Sequence, residues 1–279
     1  MHKNVPALLE AQSMNFQSTR LAMRVDNKPF NDIRVRQAML MSIDFKSIVD
    51  SVHGSKADLI TWPTYPVSGY SDMTITLDDP GMPTSVKELY SYNPEKAKQL
   101  LAQAGYASGF KTSALVTASD VDYVSIIKDM WAKIGIDLSI DVRDSTALNN
   151  IKLNWQHQSL TTLSTGPPCI FYATAVFSPD APLQNVSNVH DDYVNQKLDE
   201  MRRTILTDGL PAGMKAWKNL VINYVLDKVY AKPAPSSAAT VFFWLWVKNY
   251  SGELSMGYYT YNYPIWIWYD VAMKKSMGY

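Results

Sequence analysis

Residues Asp26–Asp50 read DNKPFNDIRVRQAMLMSIDFKSIVD, and two helix starts are written into them. Lys28-Pro29-Phe30 is extended, because the residue before a proline is pushed out of the α region. Asp32 then stands where an N-cap belongs, its carboxylate able to accept from the free N–H groups of a first turn. Val35, Ala38, Met39 and Ser42 fall on one helical face, and Arg34, Arg36 and Gln37 are expected mainly outside it. Asp44 offers a second cap to a helix carrying Ile48, Val49 and Val52, which Gly54 can end.

Working outward, Lys56–Tyr92 alternates Pro63, Pro66, Pro80 and Pro83 with Gly69 and Gly81, which predicts a long loop-rich excursion without helix. Trp62, Tyr65 and Tyr70 within it read either as pins to the core or as rings facing a ligand. Asn93-Pro94-Glu95 is a helix start, with cap, proline at the first position and acid in the first turn. Ala97, Leu100, Leu101 and Ala104 form that helix's buried face, and Gly105 ends it. Thr112–Thr117 suits a strand. Asp120 is expected to cap the next helix, in which Tyr123, Ile127, Met130, Trp131 and Ile134 repeat at three- and four-residue spacing. Ile136, Leu138, Ile140 and Val142 then alternate with polar residues as a half-buried strand. Strand–helix–strand order predicts parallel pairing.

Asp144–Trp155 reads as helix and Ser159–Leu163 as strand. A passage expected to be non-helical follows, Ser164–Asn188, interrupted by Pro167, Pro168, Pro179 and Pro182. Two helices come next. One starts from Asp191, with Tyr193, Leu198, Met201 and Ile205 facing inward. The other, Pro211–Lys228, buries Trp217, Leu220, Val221 and Tyr224. Thr240–Val247 is β-rich.

Composition bounds the function. The 279 residues carry 26 Lys+Arg against 26 Asp+Glu, and no basic stripe suggests nucleic acid. Apolar residues at 47% allow a sizeable core, and 17 Tyr, 8 Trp and 8 Phe are a heavy aromatic load. That load serves either inter-element packing or a cleft lined with flat amphipathic rings. Cys169 is the single cysteine, so no intramolecular disulfide forms. The longest apolar run, Val241–Val247, is far short of the ~20 residues that span a bilayer. The start, MHKNVPALLEAQSMN, has no apolar stretch of signal-peptide length. His2, His53, His157 and His190 are isolated, so no metal or cofactor site is expected. Phosphate-loop and nucleophile-elbow patterns are absent, and no catalytic residue is assigned.

Three stretches carry a resemblance. PFNDIRVRQAMLMSIDFKSIV resembles the segment by which the family 5 extracytoplasmic solute-binding proteins enter their large C-terminal lobe. Leu89–Tyr106 (LYSYNPEKAKQLLAQAGY) and the closing run Trp244–Glu253 with KKSMGY are similar at the expected later places. These proteins are the ligand-capturing subunits of ABC importers for peptides, nickel, oligosaccharides and related solutes. The resemblance implies an α/β fold, a C-terminal lobe of the periplasmic-binding-protein type II kind, with a mixed sheet flanked by helices. It implies a crossover from a first lobe over residues 1–25, the solute-binding lobe over 26–249, and a tail returning toward the first lobe over 250–279. Family members carry a signal or a lipid-anchored cysteine before several hundred preceding residues. The expectation is therefore a truncated chain, cytoplasmic if made as written although the family is periplasmic or extracellular.

In peptide-binding members the stretch after the predicted strand resembles Trp-x-Ala-Asp-Tyr-x-x-Pro, whose aspartate pairs with the ligand's α-ammonium. Here the corresponding residues are Gly166-Pro167-Pro168-Cys169, with Asp180 about a dozen residues later. A buried cation without a counter-charge is expensive. The resemblance with this departure implies non-catalytic capture, by lobe closure, of a small neutral or apolar solute or peptide. Its partners would be that solute and, in full-length relatives, an ABC permease. Trp62, Thr165, Phe171, Tyr172 and Trp244 are the expected ligand-side residues. Exposed aromatics with zero net charge further predict a homodimer. The competing reading is a recruited ester hydrolase using a serine with a nearby His and Asp; a structural remnant is a third.

Overall fold

In the computed structural model Asp32 accepts from Arg34 N at 2.9 Å and Asp44 from Ser47 N at 3.0 Å, so both caps are in place. The structure describes residues 5, 7–13, 19–54, 56–64, 71–164, 170–252 and 266–279. In chain order come β1 (Leu8–Ser13), β2 (Thr19–Met23), α1 (Ile33–Met41), α2 (Phe45–Val52), α3 (Thr84–Leu89), α4 (Pro94–Gln103), β3 (Phe110–Val116), α5 (Val121–Ala132) and β4 (Ile136–Val142). Then follow α6 (Ser145–Leu153), β5 (Leu160–Ser164), α7 (Ile170–Ala175), α8 (Asp192–Asp208), α9 (Leu210–Leu220), α10 (Leu226–Lys228), β6 (Ala231–Pro233), β7 (Ala239–Trp244), β8 (Val247–Lys248), β9 (Trp268–Tyr269) and α11 (Val271–Ser276). A π-helical turn, Val221–Val225, joins α9 to α10.

The chain forms two compact units, residues 17–236 and residues 1–16 with 237–279. In the large unit a five-stranded mixed sheet runs β4-β3-β5-β2-β6, in which β3 is parallel to β4 and β5 while β2 is antiparallel to β5 and β6. β4 shows why period two was legible: Ile136 and Leu138 are buried and Asp137 and Ser139 exposed. β3 and β4 start side by side at Gly109 and Gly135, both at positive φ. A Cβ on Gly109 would lie 1.8 Å from the Gly135 carbonyl oxygen, so side-chain-free backbone is what lets the strands meet there. At the other edge Ala234 N donates to Thr19 O at 2.8 Å, and Asp58 and Ser236 exchange two backbone bonds.

Helices flank this sheet. Trp131 on α5 is fully buried and donates its Nε1 to Met39 O of α1 at 2.8 Å. α1 departs from the expected stripe, since Val35, Arg36, Ala38, Met39, Leu40 and Met41 are all buried. Arg36 is inside because its Nη1 donates to Phe30 O (2.7 Å) and its Nε to Lys228 O (2.8 Å). That second carbonyl lies at the end of α10, where helical acceptors lack intrahelical donors. Lys232 of β6 is also fully enclosed, its Nζ 3.0 Å from Met23 Sδ and 3.3 Å from Arg36 O.

Two passages expected to lack helix contain one. α3 follows Pro83, which takes the N-cap position in extended geometry, and α7 occupies the proline-free stretch Ile170–Ala175. Proline breaks a helix that runs into it from the N-terminal side but is tolerated in a first turn, so a short helix can start behind it. Tyr193, expected to face inward, is exposed and lies against Tyr224 at a ring distance of 4.6 Å. In the small unit β1 pairs antiparallel with β7, and β8 with β9.

Candidate functional site at the carboxyl edge of the sheet

Clefts in open α/β sheets form beyond the carboxyl ends of the parallel strands. Here β3 runs out into Thr117–Asp120 and β5 into residues 165–169, which lie outside the described residues. Asp120, expected as the cap of α5, makes no cap hydrogen bond. Its carboxylate instead accepts three threonine hydroxyls: Thr162 at 2.6 Å, Thr117 at 2.8 Å and Thr19 at 3.2 Å. Those hydroxyls come from β5, from the end of β3 and from β2. The hydroxyls fill most of the acceptor sites of a carboxylate, which ties three strand ends together.

Behind this edge lies a buried basic group. Arg20 of β2 is 2% exposed and donates Nη2 to Gln184 O at 3.1 Å. Lys152 of α6 is 4% exposed. Burial pushes its ammonium down to about 8, with Asp120 acting to raise it and Arg20 to lower it. His157, also buried, meets Val186 O through Nε2 at 2.8 Å, and its Nδ1 has no partner among the described residues. A carbonyl can only accept, so Nε2 carries the proton. Burial pushes this imidazole down to about 4, which keeps it neutral at pH 7. Arg24 clamps Asp26 through Nε (2.8 Å) and Nη2 (2.6 Å), and donates Nη1 to the carbonyls of Trp155 and His157.

The expected ligand-side residues are dispersed. Trp62 is buried among rings, edge-on to Phe177 at 5.7 Å and to Tyr230 at 6.5 Å. Phe177 in turn meets Trp217 at 6.1 Å, so Trp62 belongs to a four-ring cluster of the large unit's core. Thr165 lies outside the described residues. Phe171 and Tyr172 are on α7, and their side chains are outside what is described. Trp244 belongs to the small unit, stacked on Trp246 at 4.5 Å and 9°, with Tyr279 at 5.0 Å.

Sequence reasoning did not single out Arg20, Lys152 or the threonine set around Asp120. One signal was available: Lys152 follows Leu148 by four residues, on the face of α6 that is buried. The Nε2 atoms of His157 and His190 face Val186 O and Asn188 Oδ1, so neither engages a serine there. Among the described residues no three His, Cys, Asp or Glu converge on a metal position.

Residues 2–179 match the family described as bacterial extracellular solute-binding proteins, family 5 Middle. A heme-binding protein A from Haemophilus influenzae is 33% identical over 137 residues, covering 46% of this chain and 22% of the relative. A dipeptide-binding protein from Escherichia coli is 28% identical over 167 residues, covering 55% of this chain and 28% of the relative. Among solved structures, the ABC transporter-associated periplasmic binding protein DppA from Helicobacter pylori, in complex with peptide STSA, superposes with a TM-score of 0.70 at 21% identity. That match covers 90% of this chain and 47% of the other. HbpA2 from Haemophilus parasuis gives 0.69 at 19% identity, over 96% of this chain and 51% of the other. The matches therefore take in about a quarter of the curated relatives' length and about half of the solved chains. Matched over more than half its length and folded as those structures are, the chain belongs to the family 5 bacterial extracellular solute-binding proteins.

Proposed function

We propose that this chain captures a small neutral or apolar solute, or a peptide, without catalysis, for delivery to an ABC permease. The observation that carries the reading is the family match over residues 2–179, which takes in the whole carboxyl edge of β3, β4 and β5. Relatives named for heme and for dipeptides bracket the solute chemistry, from a large apolar body to a short peptide. Two features argue against recognition of a free α-ammonium. The sequence Ser164–Ala173 holds no Asp or Glu, and Asp120 already accepts three hydroxyls. Of the expected ligand-side residues, Thr165, Phe171 and Tyr172 remain proposed for the large unit.

A thermal-shift screen of apolar solutes and short peptides tests capture, and calorimetry on a matched dipeptide and its N-acetyl form tests the ammonium point. The expected result is binding that acetylation leaves unchanged. A clear preference for the free amine would refute the neutral-solute reading, and a screen without any stabilising compound would refute capture. We also propose self-association through the exposed aromatics of the small unit: Phe242, Trp266, Trp268 and Tyr269. Large exposed apolar patches are unusual on soluble monomers. Light scattering that gives one chain's 31.4 kDa at every micromolar concentration would overturn it.

A further inference from the structure

His157 is buried just before β5, and its ring meets a strap, residues 184–190, that forms neither helix nor strand. Separate contacts hold the strap down. Val186 O accepts from His157 Nε2 at 2.8 Å, and Asn185 O from Trp155 Nε1 at 3.1 Å. Ser187 O accepts from Val25 N at 3.0 Å, and Ser187 Oγ donates to Tyr230 O at 2.9 Å. Asn188 Nδ2 donates to Asp26 Oδ2 at 2.9 Å. Trp155 and Asn188, on the two sides of the histidine contact, take left-handed backbone at φ 46° and 52°. Residues other than glycine keep that conformation only where their surroundings impose it.

A proton on His157 has no comfortable place. Nε2 already carries the hydrogen given to Val186 O, so a second proton goes to Nδ1, which is buried and without an acceptor. The new charge also lies beside a guanidinium, because Arg24 Nη1 donates to the carbonyl of His157 itself at 2.7 Å. Lys152 of α6 adds to the repulsion, and Asp26 opposes it. The oxygens of Asp26, however, are already held by Arg24 and Asn188. The strap's own residues 184–189, QNVSNV, bring no charge, and the exposed His190 beside them meets Asn188 Oδ1.

We propose that His157 is an acid-sensitive latch: neutral, it holds residues 184–190 against the start of β5, and protonated, it releases them while the sheet stays folded. Water reaching the opened ring supplies the missing acceptor and hydrates the charge. The strap is the element that yields, since no ladder or helix binds it. Burial first, then Arg24 and Lys152, push the closed imidazole down to about 4, against about 6.5 in water. Opening is therefore favoured progressively as pH falls from 6.5 toward 4. The strap ends the passage that carries Thr165, Phe171 and Tyr172 in sequence, so acid would loosen one end of the proposed ligand side. That consequence rests on the solute-binding reading; the latch itself does not.

Hydrogen exchange read by mass spectrometry on the full chain at pH 7 and pH 4.5, corrected for the intrinsic rate at each pH, tests it. The strap reports through the amides of Asn185, Asn188 and Val189, which donate to Ala181 O, Asn185 O and Asn185 Oδ1. The β3–β4 ladder is the internal reference. Protection of the strap is expected to fall at least about tenfold at pH 4.5 while the ladder keeps its own. His157→Gln retains a side-chain N–H for Val186 O and takes up no proton, so its strap should be protected equally at both pH values. His157→Leu, whose protection should likewise not change with pH, serves if that variant does not fold. A wild-type strap that stays protected at pH 4.5, or opens only together with the ladder, would overturn the latch, as would a loss that persists in the variant. A failed solute screen would refute capture and leave the latch standing.

Discussion

Lys232→Met is expected to stabilise the protein and to remove a large part of its pH dependence. The Lys232 amine is fully enclosed, with Met23 Sδ at 3.0 Å, Arg36 O at 3.3 Å and the Trp131 ring at 5.6 Å. Burial first and the like charge of Arg36 second hold its pKa well below the usual lysine range. In the unfolded chain the same amine titrates at about 10.4. Folding therefore releases a proton at any pH between the two values, and the unfolded state binds more protons. Stability must then rise with pH across that window, by about 1.4 kcal/mol per pH unit. Methionine has a similar length and no charge to neutralise. The variant should be more stable at pH 7.5, and its advantage should shrink as the pH is raised to 9.5. Urea unfolding of both proteins followed by circular dichroism at those two pH values measures the difference, with other titrating groups cancelling. A gap that stays constant with pH would show that Lys232 remains charged in the fold. A variant less stable throughout would show that the amine's hydrogen bonds outweigh its burial.

His157 is expected to act at the other end of the pH scale. Its folded value of about 4 lies below the usual 6.5, so its contribution is complete above pH 6.5 and is lost as pH falls toward 4. That loss amounts to about 3 kcal/mol, and a His157→Gln variant unfolded in urea at pH 7 and pH 4.5 should show a flatter profile. Asp32→Ala should cost about 1 kcal/mol through the lost cap; an unchanged urea midpoint would contradict it. Gly109→Ala drives a Cβ into the Gly135 backbone and should cost on the order of 3–4 kcal/mol. Gly105→Ala meets open space at φ +89 and should cost about 1–2 kcal/mol from conformation alone. Equal midpoints for the two glycine variants would refute the contact argument.

What was legible in the sequence was local. Asp32, Asp44 and Asn93 each precede an apolar helical stripe by three or four residues, and each caps the helix it was expected to cap. β4 declares itself by alternation, and its parallel pairing with β3 follows from the helix between them. The site depends on pairings across long intervals, which no local rule reports. Asp120 looks like a helix cap until Thr19 and Thr162, 101 and 42 residues away, bring their hydroxyls to it. Arg36 was expected mainly outside its helix because charge usually stays in water, and for the same reason nothing singled out Lys152 or Lys232 as buried. Distant carbonyls hold Arg36, and the packing of α6 and β6 encloses the two lysines. Trp62 shows the limit of composition: an aromatic ring can pack a core or line a cleft, and its neighbours Phe177 and Tyr230 come from far along the chain.

β2 and β6 are hydrogen-bonded neighbours, closed off by the bond from Ala234 N to Thr19 O and by the Asp58–Ser236 bridge. Within the unit formed by residues 17–236, Thr19 near the entry and Ala234 near the exit thus lie side by side. A gene fragment spanning residues 19–234 would encode a chain whose two ends already touch. Joining them through a short glycine linker costs little closure entropy, because the native backbone holds them in place. New termini could then be opened at the exposed turn around Gly81, where no neighbouring atom lies within 4 Å of an added Cβ. The large unit is in this sense circularly permutable, and the order of its elements along the gene is separable from the sheet they build.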